Sequence, residues 1–150
     1  MMAGSHVAVG LVAWAWAAPR LGLPLSPPTL ALAVAGALLP DIDHPHSWVG
    51  RRARLVSRSL AAVITHRGLT HSLVAVALCL VLVRAHPAFG TPIAVGYLSH
   101  LAADLLTPRG LRLAWPLRRR WGVPLCRTGS PAEPLIVGGL LVWAGWRMMR

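Results

Sequence analysis

The sequence predicts an all-α fold: an integral membrane bundle of about five short helices, forming a single domain over residues 1–150. Hydrophobic residues make up 55% of the chain, and the mean hydropathy is +0.59. Charged residues make up only 13%, about half of the roughly 25% found in an average soluble domain. Apolar stretches alternate with loops that hold nearly all the Pro and Arg. Together these observations favour a small membrane-embedded helical domain.

The five predicted helices follow the apolar stretches in chain order. Most have 12 to 17 residues, fewer than the roughly 20 that cross a ~30 Å hydrocarbon core, so they would tilt little, thin the bilayer or only dip into it. A cleaved signal peptide is an alternative for the first stretch, but such a signal carries a positively charged start, and no Arg or Lys precedes Arg20. The stretches cover residues 4–18, 29–40, 68–84, 91–107 and 134–149.

The arginines predict the orientation of the bundle. The chain has 15 Arg, no Lys and a formal charge of +11. The loops at 41–67 and 109–133 hold 11 of these Arg, whereas the opposite side holds few. By the positive-inside rule both loops are cytoplasmic, with the N-terminus inside and the C-terminus outside. We therefore expect a protein integral to the inner (cytoplasmic) membrane.

Carboxylates are rare, and most lie beside histidine. The chain has four acidic residues; because burying an unpaired charge costs several kcal/mol, so few carboxylates set beside His indicate a site. The predicted topology brings His and carboxylate groups from five segments to the cytoplasmic face, as a metal site at the end of a helix bundle would need. The acidic residues are Asp41, Asp43, Asp104 and Glu133.

The string GYLSHLAADLLT places His100 and Asp104 at i, i+4. On a helix both side chains project from one face and can bind the same cation. Imidazole and carboxylate together suit zinc, and also manganese or iron. A structural His–Asp hydrogen bond inside the bundle is the alternative interpretation.

The string LLPDIDHPHS places Asp41 and Asp43 on a turn, because the flanking prolines prevent a regular helix from continuing. Two carboxylates this close repel each other, which favours a cation beside them. The alternative is a pair of solvated aspartates at a helix end.

The string THRGLTHS supplies His66, Arg67 and His71 near the start of the third predicted helix. We expect His71 to be a metal ligand, His66 a proton-transfer group and Arg67 an anion clamp. A polar helix start with interfacial histidines is the alternative.

Two further residues complete the predicted site. His6 opens the first helix and is the next candidate metal ligand. Glu133 precedes the last helix and is a candidate for proton transfer or for a second metal. A carboxylate that interacts favourably with the helix dipole is the plainer interpretation of Glu133.

In combination these strings resemble the YdjM-like family of membrane-bound metal-dependent hydrolases, over nearly the whole chain. The resemblance implies a small helical integral membrane protein with a metal site. The order of ligand types is also similar to the zinc-dependent phospholipase C and P1-type nuclease group, which cleaves phosphoesters. Those enzymes carry a further HxxxE or HxxxD pair, where this chain has only Glu133. The strings are SH, GALLPDIDHPHS, HRGLTHS, GYLSHLAADLLTPRGLRLAWP and TGSPAE.

The sequence thus predicts a hydrolase of phosphoesters with one or two divalent ions, zinc or else manganese or iron, in which the metal activates water. The Arg-rich loops match the anionic inner leaflet, so membrane lipids are the expected partners and a lipid phosphate the expected substrate. A non-catalytic metal-binding or metal-transporting membrane protein is the alternative. Nucleic acid is a less favoured partner, because Arg loops alone bind it non-specifically.

Overall fold

The computed structural model describes residues 1–63, 68–117 and 119–149. Within these ranges the chain forms six α-helices and no strand, and its one β-bridge joins Leu111 to Trp121. The prediction of an all-α fold is confirmed. The helices are α1 (Ala3–Arg20), α2 (Pro27–Leu38), α3 (Arg54–Val63), α4 (Leu73–Ala85), α5 (Pro87–Leu105) and α6 (Ala132–Met148).

Five of these helices correspond to the predicted apolar stretches, and α3 does not. The sequence analysis treated 41–67 as a loop, which is wrong for the α3 segment. Helix α3 alternates Arg54 and Arg58 with apolar residues and is strongly amphipathic. A search for continuous apolar runs passes over such a helix, because its mean hydropathy is close to that of a loop.

Short 3₁₀ turns link the helices near their polar ends. Pro40 interrupts the regular hydrogen bonding after α2, and Leu39–Asp43 continues as a 3₁₀ turn. A second 3₁₀ turn, Leu69–His71, precedes α4. Helix α4 begins later than predicted because the Ser72 hydroxyl accepts from the Val74 amide (3.2 Å) and caps the helix there.

Helix α5 is central and packs against α1, α2 and α4. It approaches α2 closely, since a Cβ on Gly96 would collide with the Ala33 backbone and one on Gly36 with the Ile93 backbone. The two helices are therefore in backbone contact. This contact fixes the end of α2 relative to the C-terminal half of α5, where His100 lies.

In the described part of the chain, no helix combines the length and the hydropathy that crossing a membrane requires. The integral membrane part of the fold prediction therefore stays a prediction. Large apolar side chains are exposed on the outer faces of two helices, for example Leu78 and Val81 on α4 and Leu135 and Val142 on α6.

Candidate metal centre

Five histidine and aspartate side chains converge at one end of the bundle. Their ligand atoms form two groups of three in which all atoms lie within 4.8 Å of one another. One group comes from α1 and α5, the other from the two 3₁₀ turns and α5, and His100 belongs to both. The groups are His6, His100 and Asp104, and Asp41, His71 and His100.

The spacing of these atoms fits ligands that share an ion. The Nε2 atoms of His71 and His100 are 3.3 Å apart. Each lies 3.8 to 3.9 Å from a carboxylate oxygen of Asp41 and of Asp104. Four ligands held tetrahedrally at about 2.0–2.2 Å from zinc stand about 3.3–3.6 Å apart. The cluster could therefore hold a metal ion after little or no movement.

His6 gives a second reason to place a cation here. Both of its ring nitrogens are buried and make no hydrogen bond within the described residues. Its ring stacks on His100 at 3.6 Å between centroids, and its Nε2 lies 3.4 Å from Asp104 Oδ1. A buried polar atom without a partner costs about 1–3 kcal/mol. A metal ion would offset that cost.

The orientation of His100 is set by the backbone of α2. Its Nδ1 lies 2.7 Å from the carbonyl oxygen of Ala37. Because a carbonyl only accepts, Nδ1 carries the hydrogen, which leaves the lone pair of Nε2 directed into the cluster.

The orientation of His71 is set through Thr70. The Thr70 hydroxyl donates to Asp43 Oδ2 at 2.6 Å and lies 2.9 Å from His71 Nδ1. Since its single hydrogen goes to Asp43, the hydroxyl accepts from Nδ1–H, which again directs the lone pair of Nε2 toward the cluster. Asp43, predicted as a ligand, is fully buried and lies behind His71, outside both groups of three.

Glu133 is also fully buried, but its hydrogen-bond partners are two backbone amides and the Ser5 side chain. Its Oε1 accepts from the Met2 amide at 2.6 Å and its Oε2 from the Gly129 amide at 2.7 Å. Burial by itself would raise the pKa of this carboxyl, but the hydrogen bonds from the Ser5 side chain and the two amides outweigh it and lower the pKa. These hydrogen bonds join the N-terminal end of α1 to the N-terminal end of α6.

The remaining predicted residues are placed as follows. His66 and Arg67 lie outside the described residues. The amino group of Met1, not considered in the sequence analysis, contacts Asp104 Oδ1. Thr70 was not among the predicted site residues. Its position directly before His71 is the signal that could have identified it as the group that orients the imidazole.

A polar cavity of about 200 Å³ reaches the cluster from outside, and we call it the entry cavity. Asp41 lines it and is the one partly exposed member of the cluster, at 18% for its side chain. His44 and Ser47 line the same cavity. A small polar molecule could therefore approach the cluster past Asp41.

Fold and site together define a small helical protein with a buried histidine and aspartate cluster able to hold a metal ion. The chain matches the family described as YdjM inner membrane protein over residues 1–150. It belongs to that family, as the sequence motifs predicted. Family membership supports a membrane location. The similarity to the phospholipase C and P1-type nuclease group stays a prediction.

Three relatives illustrate the match. The chain is 40% identical over 124 residues to inner membrane protein YdjM of Escherichia coli strain K12 and to that of Shigella flexneri, covering 76% of this chain. It spans only 63% of the length of these relatives. It is 32% identical over 145 residues to protein YvsG of Bacillus subtilis strain 168, covering 93% of this chain and 89% of that relative. No solved structure matches the chain significantly.

Proposed function

We propose that this chain is a membrane-bound, metal-dependent hydrolase that acts on a phosphoester, most favourably a phospholipid or another lipid phosphate. The observation that carries the proposal is the buried cluster of three imidazoles and two carboxylates beside the entry cavity. Such mixed nitrogen and oxygen ligands suit zinc, with manganese and iron as further options.

The orientation of His100 limits how the ions share their ligands. Its Nδ1 is engaged with Ala37, so only Nε2 is available and His100 serves one ion. The two groups of three therefore cannot each be complete at the same time. A single ion held by His100 with its nearest partners is the simplest arrangement, and a second ion would be held by the ligands that remain.

A divalent ion bound there would lower the pKa of a water molecule to about 7 and neutralise charge on a phosphoryl group. The protein's own residues orient the ligands and admit the substrate. Thr70 and Asp43 hold His71, and Asp41 faces the entry cavity. Glu133 is assigned to positioning, since its oxygens are bound to amides. Proton transfer by His66 and anion binding by Arg67 stay predictions.

We further propose that the cluster and the N-terminus face the cytoplasm and that the bundle is integral to the inner membrane. The Arg-rich loops and the exposed apolar side chains of α4 and α6 support contact with membrane lipids. A cysteine placed at Arg52 should be protected from a membrane-impermeant thiol reagent in intact cells. Modification from outside would contradict this orientation.

The hydrolase proposal is tested with the purified full chain in detergent. Metal content is measured first, and then single-turnover cleavage of lipid phosphates, nucleotides and a generic phosphodiester. We expect cleavage that is lost in Asp41→Asn and kept in His86→Ala, because His86 is exposed and lies outside both metal groups. A protein that binds zinc and cleaves none of these substrates would instead favour the non-catalytic or metal-transporting alternative.

A further inference from the structure

We propose that the substrate carries a second phosphoryl group, held by Arg109 and Arg127 beside the metal cluster. This inference rests on the proposed function and names its substrate class as a diphosphate. The two arginines line a cavity of about 290 Å³ together with Thr107, Pro108 and Thr128, which we call the arginine cavity.

The arginine cavity continues the entry cavity. Arg109 and Thr128 line both spaces, and Asp41 lines the entry cavity with them. An anion bound at the metal cluster beside Asp41 would therefore lie next to the arginine cavity. One phosphoryl group at the cluster needs only the first space, so the second is available for a further anionic group on the same molecule.

Backbone contacts hold the segment that carries Arg109. The Thr107 hydroxyl donates to the Asp104 carbonyl at 2.8 Å, so the segment follows directly from the metal-facing turn of α5. Gly110 has φ +57, a conformation that other residues rarely adopt, and a Cβ there would approach the Trp121 backbone. The bridge from Leu111 to Trp121 then closes the turn. The backbone of Arg109 is thus held in place next to the metal-facing end of α5.

The segment that carries Arg127 is held equally firmly. The amides of Leu125 and Cys126 donate to the Leu106 carbonyl at 3.2 and 3.1 Å, which fixes the segment along the end of α5. On the other side of Arg127, the Gly129 amide donates to Glu133. Glu133 therefore has a role in shaping the arginine cavity as well as in joining α1 to α6.

The charge of the arginine cavity selects its ligand. Among the described residues its lining holds two guanidinium groups, two threonine hydroxyls and no carboxylate. Arginine binds phosphate through two parallel hydrogen bonds. The Thr128 hydroxyl could donate to the same oxygens, whereas the hydrogen of the Thr107 hydroxyl is engaged with the Asp104 carbonyl. This lining suits a phosphoryl group far better than a neutral or cationic headgroup.

The test measures binding of methylphosphonate and methylenediphosphonate, which cannot be hydrolysed, to the zinc-loaded full chain by calorimetry, with retained zinc checked afterwards. Arg127→Gln should weaken diphosphonate binding by at least about tenfold, the effect of losing one charge-assisted hydrogen bond, and leave methylphosphonate binding unchanged. Arg109→Gln should weaken both ligands, because Arg109 lines both cavities. Arg84→Gln, in the last turn of α4, is the matched control.

Two results would overturn the proposal: Arg127→Gln weakens both ligands equally, or it weakens neither. A prenyl diphosphate and a nucleoside diphosphate, compared as competitors, distinguish a lipid from a soluble source. Failure of the hydrolase proposal can be told apart from failure of this one. In that case the protein would cleave no phosphoester, but Arg127→Gln would still weaken diphosphonate binding and leave methylphosphonate binding unchanged. Hydrolysis without that selective loss would refute only the second phosphoryl site.

Discussion

Two neighbouring regions of the chain bury carboxylates beside different partners. In one region the carboxylate accepts from backbone amides, and in the other the carboxylates face imidazole nitrogens. Glu133 accepts from two backbone amides at 2.6 and 2.7 Å. Asp104 and Asp41 lie 3.4 to 3.9 Å from imidazole nitrogens. Glu133 and Asp104 have side chains with no exposed surface. Burial alone therefore does not distinguish a structural carboxylate from a metal ligand, whereas the chemistry of the partners does.

The difference has an energetic basis. Two backbone amides and the Ser5 side chain hydrogen-bond the Glu133 carboxylate, so the region around Glu133 is satisfied without a ligand. In the cluster the Met1 amino group contacts Asp104 Oδ1, and Asp104 and Asp41 also face imidazole nitrogens, an arrangement of ligand atoms that a bound metal ion would stabilise. Mutations in the metal cluster should consequently change the amount of bound metal. Mutations around Glu133 should change the stability.

The largest effect on bound metal is expected from His100→Ala, because His100 belongs to both groups of ligands. Metal affinity should fall by more than about 100-fold, since loss of even an outer partner of a ligand costs about 10–100-fold. Metal content per folded protein after dialysis measures the change, with the exposed His86→Ala as control. Unchanged stoichiometry in a folded His100→Ala protein would show that the cluster is not a metal site.

A smaller effect is expected from Thr70→Val, which keeps the shape of the side chain and removes the link between Asp43 and His71. Metal affinity should fall by about 10–100-fold, because His71 loses the group that fixes its tautomer. A competition assay with a metal-sensitive dye measures this. Thr91→Val, on α5 and away from the cluster, is the control and should bind as the wild type does.

Combining Thr70→Val with Asp43→Asn sharpens the result. If Asp43 acts through Thr70, the double variant should lose about as much affinity as the larger single loss, since both changes break one connection. Additive losses would mean that Asp43 contacts the metal directly, as the sequence analysis expected.

The smallest effect on bound metal is expected from Glu133→Gln, which should keep the metal stoichiometry and lower the free energy of unfolding by about 1–3 kcal/mol. The folded pKa of Glu133 is lowered from 4.5, so this stabilisation is complete well above that value and is lost as the pH falls through the folded pKa. Denaturant unfolding in detergent at neutral and acidic pH measures it.

The variant and the wild type should therefore differ at neutral pH and converge in acid. A loss of metal as large as that in His100→Ala would contradict the division between the two regions and return Glu133 to the list of candidate ligands.

Much of the fold could be predicted because its signals are local. Apolar runs identified five of the helices, and the amphipathic α3 was missed because its apolar residues are not contiguous. The i, i+4 spacing of His100 and Asp104 placed both residues on one face of α5, as the structure shows.

What the sequence by itself determined is the helical class, the family motifs and the set of polar residues from which a site could be built, because helix periodicity and residue type are properties of short segments. Only the tertiary structure decided which of these polar residues contacts which partner group. The Ala37 carbonyl that orients His100 is 63 residues away, and the amides that engage Glu133 belong to backbone that no motif marks. Backbone atoms are the same at every position, so their pairing with a side chain is decided by the packing of distant segments and leaves no trace in the sequence.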